Sequence, residues 1–129
     1  MLAGDTFSPR QRDEILRAIT NATRRSGLEF SVYVGPADGP PRAYARRRHA
    51  ELGVGAPDAV LVFVDPAGRS LEIIIGSRAC RRLDDRACAL AAISMGADFA
   101  LGNLAGGVVH GLRALADQVQ PQSLQARGA

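Results

Sequence analysis

The sequence predicts an α/β domain with helices on both sides of a small sheet, and three features carry that expectation. First, residues 58–76 contain two apolar, β-branched runs on either side of Asp65-Pro66-Ala67-Gly68, a tetrapeptide with the composition of a tight turn. This is a β-hairpin. Second, neither arm alternates between apolar and polar residues. Residues 60–64 are apolar throughout, and Glu72 is the one polar residue in 71–75. A strand that is apolar on both faces must be covered on both faces. Third, segments with helical start signals and helical spacing precede and follow the hairpin, and these supply the cover.

Taken in order, Ser8-Pro9-Arg10-Gln11 starts the first helix. It offers a serine N-cap, proline at the first helical position and glutamine at the capping-box position. Ile15, Ile19 and Ala22 recur at helical spacing, and Gly27 stands where a left-handed residue ends a helix, so the helix is expected over about residues 9–25. Residues 28–34 read as a strand with Phe30, Val32 and Val34 on one face. Glu29, Ser31 and Tyr33 make the other face less apolar, which places this strand nearer the sheet edge. A rigid loop, 35–41, leads to a short arginine-crowded helix over 42–52, closed by Gly53 and Gly55. After the hairpin, Asp84 can cap a helix over 85–99, and Asn103 can cap the last one. There Leu104, Val108, Gly111, Leu112, Leu115 and Val119 form one apolar stripe, and Pro121 stops it. The order is α-β-α-β-β-α-α. The bounds are an arm over 1–7, one domain over 8–120 and a flexible tail over 121–129.

At 129 residues the chain fits one domain with one core, and with no Trp and few aromatics that core is built from Ala, Val, Leu and Ile. All sixteen basic residues are arginine. Arginine forks can bind carboxylate and phosphate, but abundant Ala and Gly beside them fit a general compositional bias. A net charge of +3 permits an anionic partner without requiring one. The first residues lack a basic segment followed by an apolar core, and no apolar run approaches the roughly 20 residues that span a bilayer. A cytoplasmic protein that does not span a membrane is the expectation. Cys80 and Cys88 match neither a CxxC redox pair nor a zinc knuckle, and are expected to be small, partly buried thiols rather than a disulfide.

Several of these residues together resemble the TPM domain family, and within it an actinobacterial branch known only as a domain of unknown function. The resemblance covers about residues 8–119. It rests on the apolar strand ending in Asp65-Pro66, residues 69–76 and the Leu83-Asp84-Asp85 helix start, together with Phe99, Gly102, Gly106 and Gly111. It implies a three-layer α/β/α sandwich around a small mixed sheet with a central hairpin. Members of that family are linked to divalent-cation binding, to acid phosphatase activity and to membrane-protein maintenance. Here the Gly-Asp-Tyr step of the family is Gly102-Asn103-Leu104, so a carboxylate has become a neutral amide.

Two sets of residues remain as candidate sites. Asp84, Asp85 and Asn103 are the oxygen ligands that the resemblance implies for Ca2+ or another divalent cation, although helix capping already accounts for Asp84 and Asn103. No cofactor is required by any motif. Arg78, Arg81, Arg82 and Arg86, with Arg46 and Arg47 of the short helix, form an anion or partner surface if the fold brings them together. Nucleic acid is a poor fit, because Tyr44 is the one aromatic beside them and base stacking needs aromatic platforms. His49 and His110 have no nucleophile at readable spacing, and residues 102–107 lack the strand and the GK[ST] element of a phosphate loop. The expected function is therefore a non-catalytic binding or accessory module. A weak metal-dependent phosphatase is the alternative, and anion or nucleic-acid binding through the arginines is a further one.

Overall fold

The computed structural model describes residues 6–121; the expected flexible tail lies outside the described residues beyond Pro121. Elements follow the expected order: α1 (Pro9–Ser26), β1 (Glu29–Val34), α2 (Pro41–Ala50), β2 (Ala59–Asp65), β3 (Ser70–Ile75), α3 (Asp85–Ala100) and α4 (Leu104–Gln118). Two 3-10 segments, Gly53–Asp58 and Ala79–Arg81, lie on either side of the hairpin. The second helix ends at Ala50, short of its expected end at residue 52, and the chain then turns into the first 3-10 segment.

Helix ends form where local chemistry supplies partners for their bare N–H and C=O groups. Ser8 accepts from the Gln11 N–H while the Gln11 side chain accepts from the Ser8 N–H, a complete capping box. Gly27 takes the left-handed conformation that ends α1, with φ 79°. Asp84 and Asn103 cap α3 and α4 by accepting from the backbone N–H groups of Ala87 and Gly106.

Among the described residues the sheet has three strands in the order β1-β2-β3, parallel between β1 and β2 and antiparallel within the hairpin. Phe30 lies opposite Val60 and Val34 opposite Val64, while Val60 lies opposite Ile75 across the hairpin. The hairpin thus supplies the middle strand and one edge. β2 is buried along its whole length, whereas most of β3 is half-buried despite its apolar sequence.

The period of two divides the side chains between two unequal layers. Phe30, Val32, Val34, Val60, Val62 and Val64 point into the main core with Ile15, Leu83, Met95, Val108, Leu112 and Leu115 of the α1, α3 and α4 layer. Leu61, Phe63 and Ile74 point the other way, where Ala45 of α2 covers them. Tyr33 stacks on Phe63 with ring centroids 5.3 Å apart, and Tyr44 meets Phe63 edge-on. The expected cover on both faces is present, thick on one side and thin on the other.

Candidate functional site

The fold has two ends, and it divides the sequence-predicted residues between them. At the base, where β1 and β2 begin, an open depression of about 450 Å³ is lined by Arg78, Arg81 and Arg82 together with Glu29 and Asp58. At the far end, a cleft of about 460 Å³ lies between the hairpin turn and the α3–α4 junction, lined by Asp65, Arg69, Ser70, Gly96, Phe99 and Gly102 among others.

Asp84 and Asp85 stand at the base end of α3 and Asn103 beyond its other end, where its N–H donates to the Asp98 carbonyl. With about 1.5 Å of rise per residue, the 16 residues of α3 separate the aspartates from Asn103 by about 24 Å. The three residues expected to share one cation therefore do not converge. Among the described residues no group of three or more His, Cys, Asp or Glu side chains is placed to hold a metal ion. Asp84 and Asn103 are engaged as caps, and Asp85 stands in the first turn of α3, where the helix dipole favours a carboxylate.

The arginines are also divided. Arg78 grips Asp58 with both ends of its fork, Nε to Oδ1 at 3.0 Å and Nη2 to Oδ2 at 2.8 Å. That hydrogen bond holds the Asp58 carboxyl below its usual range and Arg78 above its own. Arg82 donates from Nη2 to the Ser26 carbonyl at 2.7 Å, at the last turn of α1, and from Nε to the Gln120 carbonyl at 2.8 Å. It works as a strut joining α1 to the chain after α4. On the opposite layer, Arg47 donates to the Asp38 carbonyl and lies 5.4 Å from the Tyr44 ring centroid, while Arg48 lies 4.7 Å from that of Tyr33. Arg46 and Arg86 are exposed. No residue of α2 lines the base depression, which takes its arginines from the segment after the hairpin alone.

Asp65 is nearly buried, yet it organises structure. Its Oδ1 accepts from the Gly68 N–H at 3.0 Å and its Oδ2 from the Ala37 N–H at 3.2 Å, tying the hairpin turn to the β1–α2 loop. His110 lies 3.3 Å from Asp98 across the α3–α4 packing, and His49 bonds the Ala59 carbonyl at 3.1 Å. Two glycines of α4, Gly107 and Gly111, give α3 room to pack closely, while Gly106 lies against the Asn103 side chain that caps the helix. A Cβ at Gly107 would overlap Phe99, and one at Gly111 would overlap Met95. Both cysteines are free, with Cys80 exposed and Cys88 buried; the expectation of two partly buried thiols fails for Cys80, whose 3-10 turn lies at the surface.

One surface was missed by the sequence reading. From Ala87 to Ala97 α3 has no charged residue, yet its outer side faces solvent. Leu90 is 57% exposed, Ile93 71% and Leu101, just past the helix end, 85%. Ala89, Gly96, Ala97 and Ala100 complete this side, and Ser94 is the one polar residue on it after Arg86. An amphipathic surface helix keeps such positions polar. The signal was present in the sequence as an all-round apolar helix, which by itself reads as a buried one.

Comparison with known proteins gives relatives of the same kind. The chain is 30% identical over 106 residues to the uncharacterized proteins Rv2468c and MT2543 of two Mycobacterium tuberculosis strains, over 81% of this chain and 62% of theirs. It therefore spans less than two thirds of the length of those relatives. Among solved structures it is similar to BA42 from Bizionia argentinensis (TM-score 0.78, 17% identity, 92% of this chain and 88% of that one). It is also similar to the N-terminal domain of the cg2496 protein from Corynebacterium glutamicum (TM-score 0.76, 14% identity, 92% and 78%). The N-terminal domain of a protein from P. gingivalis matches equally well (TM-score 0.76, 21% identity, 90% and 78%). At these identities the likeness is one of fold. The family model that fits residues 3–116 is described as a domain of unknown function, DUF5130, and the chain belongs to that family.

Proposed function

We propose that this domain is a non-catalytic binding module whose working face is the outer side of α3. The carrying observation is that an uncharged helical stretch leaves Leu90 and Ile93 in solvent, with Leu101 exposed just past the helix end. Exposed apolar surface is costly to keep in water and marks interaction sites. Support also comes from what the candidate chemical groups are doing: Asp65, Asp84, Asn103 and Arg82 each hold backbone groups in place. Kinship with TPM domains belongs to the same proposal, supported by the shared element order and the Leu83-Asp84-Asp85 helix start.

An apolar reporter dye tests the face directly. Native protein is expected to bind it, and Leu90→Asp/Ile93→Asp to lose that binding while melting cooperatively with the native circular dichroism spectrum. Dye binding unchanged in the double variant would remove α3 as the working face. Hydrolysis of p-nitrophenyl phosphate with Mg2+, Ca2+ and Mn2+ tests the other half. Turnover that disappears in Asp84→Ala or Asp85→Ala would establish the phosphatase instead.

A further inference from the structure

We infer that the groove between α1 and α4 binds a phosphate dianion, free or carried by a small phosphomonoester. The groove has a volume of about 250 Å³. Its floor includes the buried Ala22 and Ala116, and its exposed rim is formed by Asn21, Arg24 and Arg25 of α1 and Arg113 of α4. Ala22 and Arg25 are three residues apart, as are Arg113 and Ala116, so each helix supplies floor and rim from one face.

Charge decides what this groove takes. Arg25 is paired with Asp117 across the two helices. Among the described residues Arg24 and Arg113 are held in no ion pair, and no carboxylate lines the groove. Asp13 lines the adjoining depression with Arg17 beside it. The intervening turns of α1 put Asp13 about 16 Å from Arg24, about two Debye lengths at physiological salt. The negative ends of α1 and α4 are met by Arg82, which donates to the Ser26 and Gln120 carbonyls. Guanidiniums on opposite walls are therefore left for an anion. A phosphate monoester carries about −1.5 to −2 charges at pH 7, which matches them. Its tetrahedral oxygens can accept from forks on both walls and from the Asn21 amide, whereas a carboxylate offers its oxygens in one plane. The volume falls below the roughly 300–1,000 Å³ of pockets for drug-sized ligands, so the ligand is phosphate with at most a short carbon stub on the apolar floor.

Titration calorimetry at low salt and about pH 7.5, where the dianion dominates, tests the site with glycerol 3-phosphate, inorganic phosphate and acetate. Both phosphates are expected to bind and acetate to stay silent; the tighter of the two phosphates identifies the source. Binding should weaken as pH falls through about 6, where the dianion gains a proton. Arg24→Gln/Arg113→Gln should weaken it at least about tenfold. Arg46→Gln/Arg86→Gln removes the same charge from exposed positions elsewhere and should leave it unchanged. Circular dichroism melting is the folding control for both. Asp117→Asn releases the Arg25 fork and should tighten binding, a gain that loss of folding cannot mimic. The inference is overturned by no heat with either phosphate, by acetate bound as tightly as phosphate, by equal losses in the two double variants, or by no gain in Asp117→Asn.

Discussion

Arg69 closes the hairpin in a backbone conformation that its own side chain disfavours, with φ 53°. The composition of the turn points to Gly68 as the left-handed residue, but Gly68 is there for space: a Cβ would stand 2.6 Å from Asp65 Oδ2. A left-handed angle costs an L-residue about 1–2 kcal/mol, part of which glycine returns in unfolded-chain entropy. Arg69→Gly should therefore raise stability by roughly 0.5–1 kcal/mol, read from the urea midpoint. A lower midpoint would mean that the arginine side chain contributes more than its backbone costs. Asp65→Ala should lose about 2 kcal/mol or more, because two backbone N–H groups lose their acceptor. Asp65→Asn, which keeps one acceptor oxygen, should recover part of that loss in the same measurement. Burial pushes the Cys88 thiol up to about 11, with the Asp85 and Asp84 carboxylates adding to the effect. The folded state thus holds this proton more tightly than the unfolded chain, whose thiol titrates near about 8.5. Its contribution to stability is complete below that pH and is lost as pH climbs towards about 11. Cys88→Ala should flatten this alkaline loss in melting temperature, whatever its effect at neutral pH; an identical slope would refute the assignment.

Helix packing in the main core depends on missing side chains, and α3 and α4 allow a matched pair of substitutions. Gly111 faces Met95, which is fully buried, and a Cβ there would overlap the thioether. Overpacking costs about 1–3 kcal/mol, offset by about 1 kcal/mol of helix propensity, so Gly111→Ala should destabilise by up to about 2 kcal/mol. Gly96 has nothing within 4 Å of its Cβ position, so Gly96→Ala should stabilise by up to about 1 kcal/mol. Equal effects at the two sites would show that the glycines are not there for packing. The same contrast explains how much could be read in advance. Ser8-Pro9-Gln11, Gly27, Asp84 and Asn103 carry local signals, and each forms the cap that its residue type implies. The segment Gly53–Asp58 carried none, because it has no helical period and contains Pro57. Its shape comes from distant partners, among them the Arg78 N–H on the Pro57 carbonyl and the Arg78 fork on Asp58. The placement of the candidate site residues was not legible for the same reason. Adjacent positions in sequence could not reveal that Arg82 reaches Ser26, or that a whole helix parts Asp84 from Asn103. Nor could composition tell which side of an all-apolar α3 the layer leaves uncovered.

The two layers over the sheet differ in how firmly each is held, and this shapes how the whole molecule opens. α1, α3 and α4 share one continuous core with the inner side of all three strands. α2 is attached through Ala45, the partly buried Tyr44 and Arg48, whose guanidinium lies over the Tyr33 ring of β1. Arg42 adds an ion pair to Glu72 at 2.8 Å, and His49 a bond to the Ala59 carbonyl. Exposed ion pairs and cation–π contacts each contribute on the order of 1 kcal/mol or less, whereas a fully buried Leu or Ile contributes about 1.5–3 kcal/mol. Local opening follows the least buried unit. α2 should therefore detach in a sub-global step that leaves β2 still covered by α4 and the rest of the main layer. In native-state hydrogen exchange, the amides of residues 44–50 in α2 should exchange at least about tenfold faster than those of Val108, Leu112 and Leu115, which open only with global unfolding. Tyr44→Ala should widen that gap, because it removes edge contacts to both Phe63 and Tyr33, while leaving α4 protection lowered only by the loss in global stability. Uniform protection across both layers would contradict this order, and would mean that the aromatic cluster under α2 couples it to the sheet as tightly as the main core holds α4.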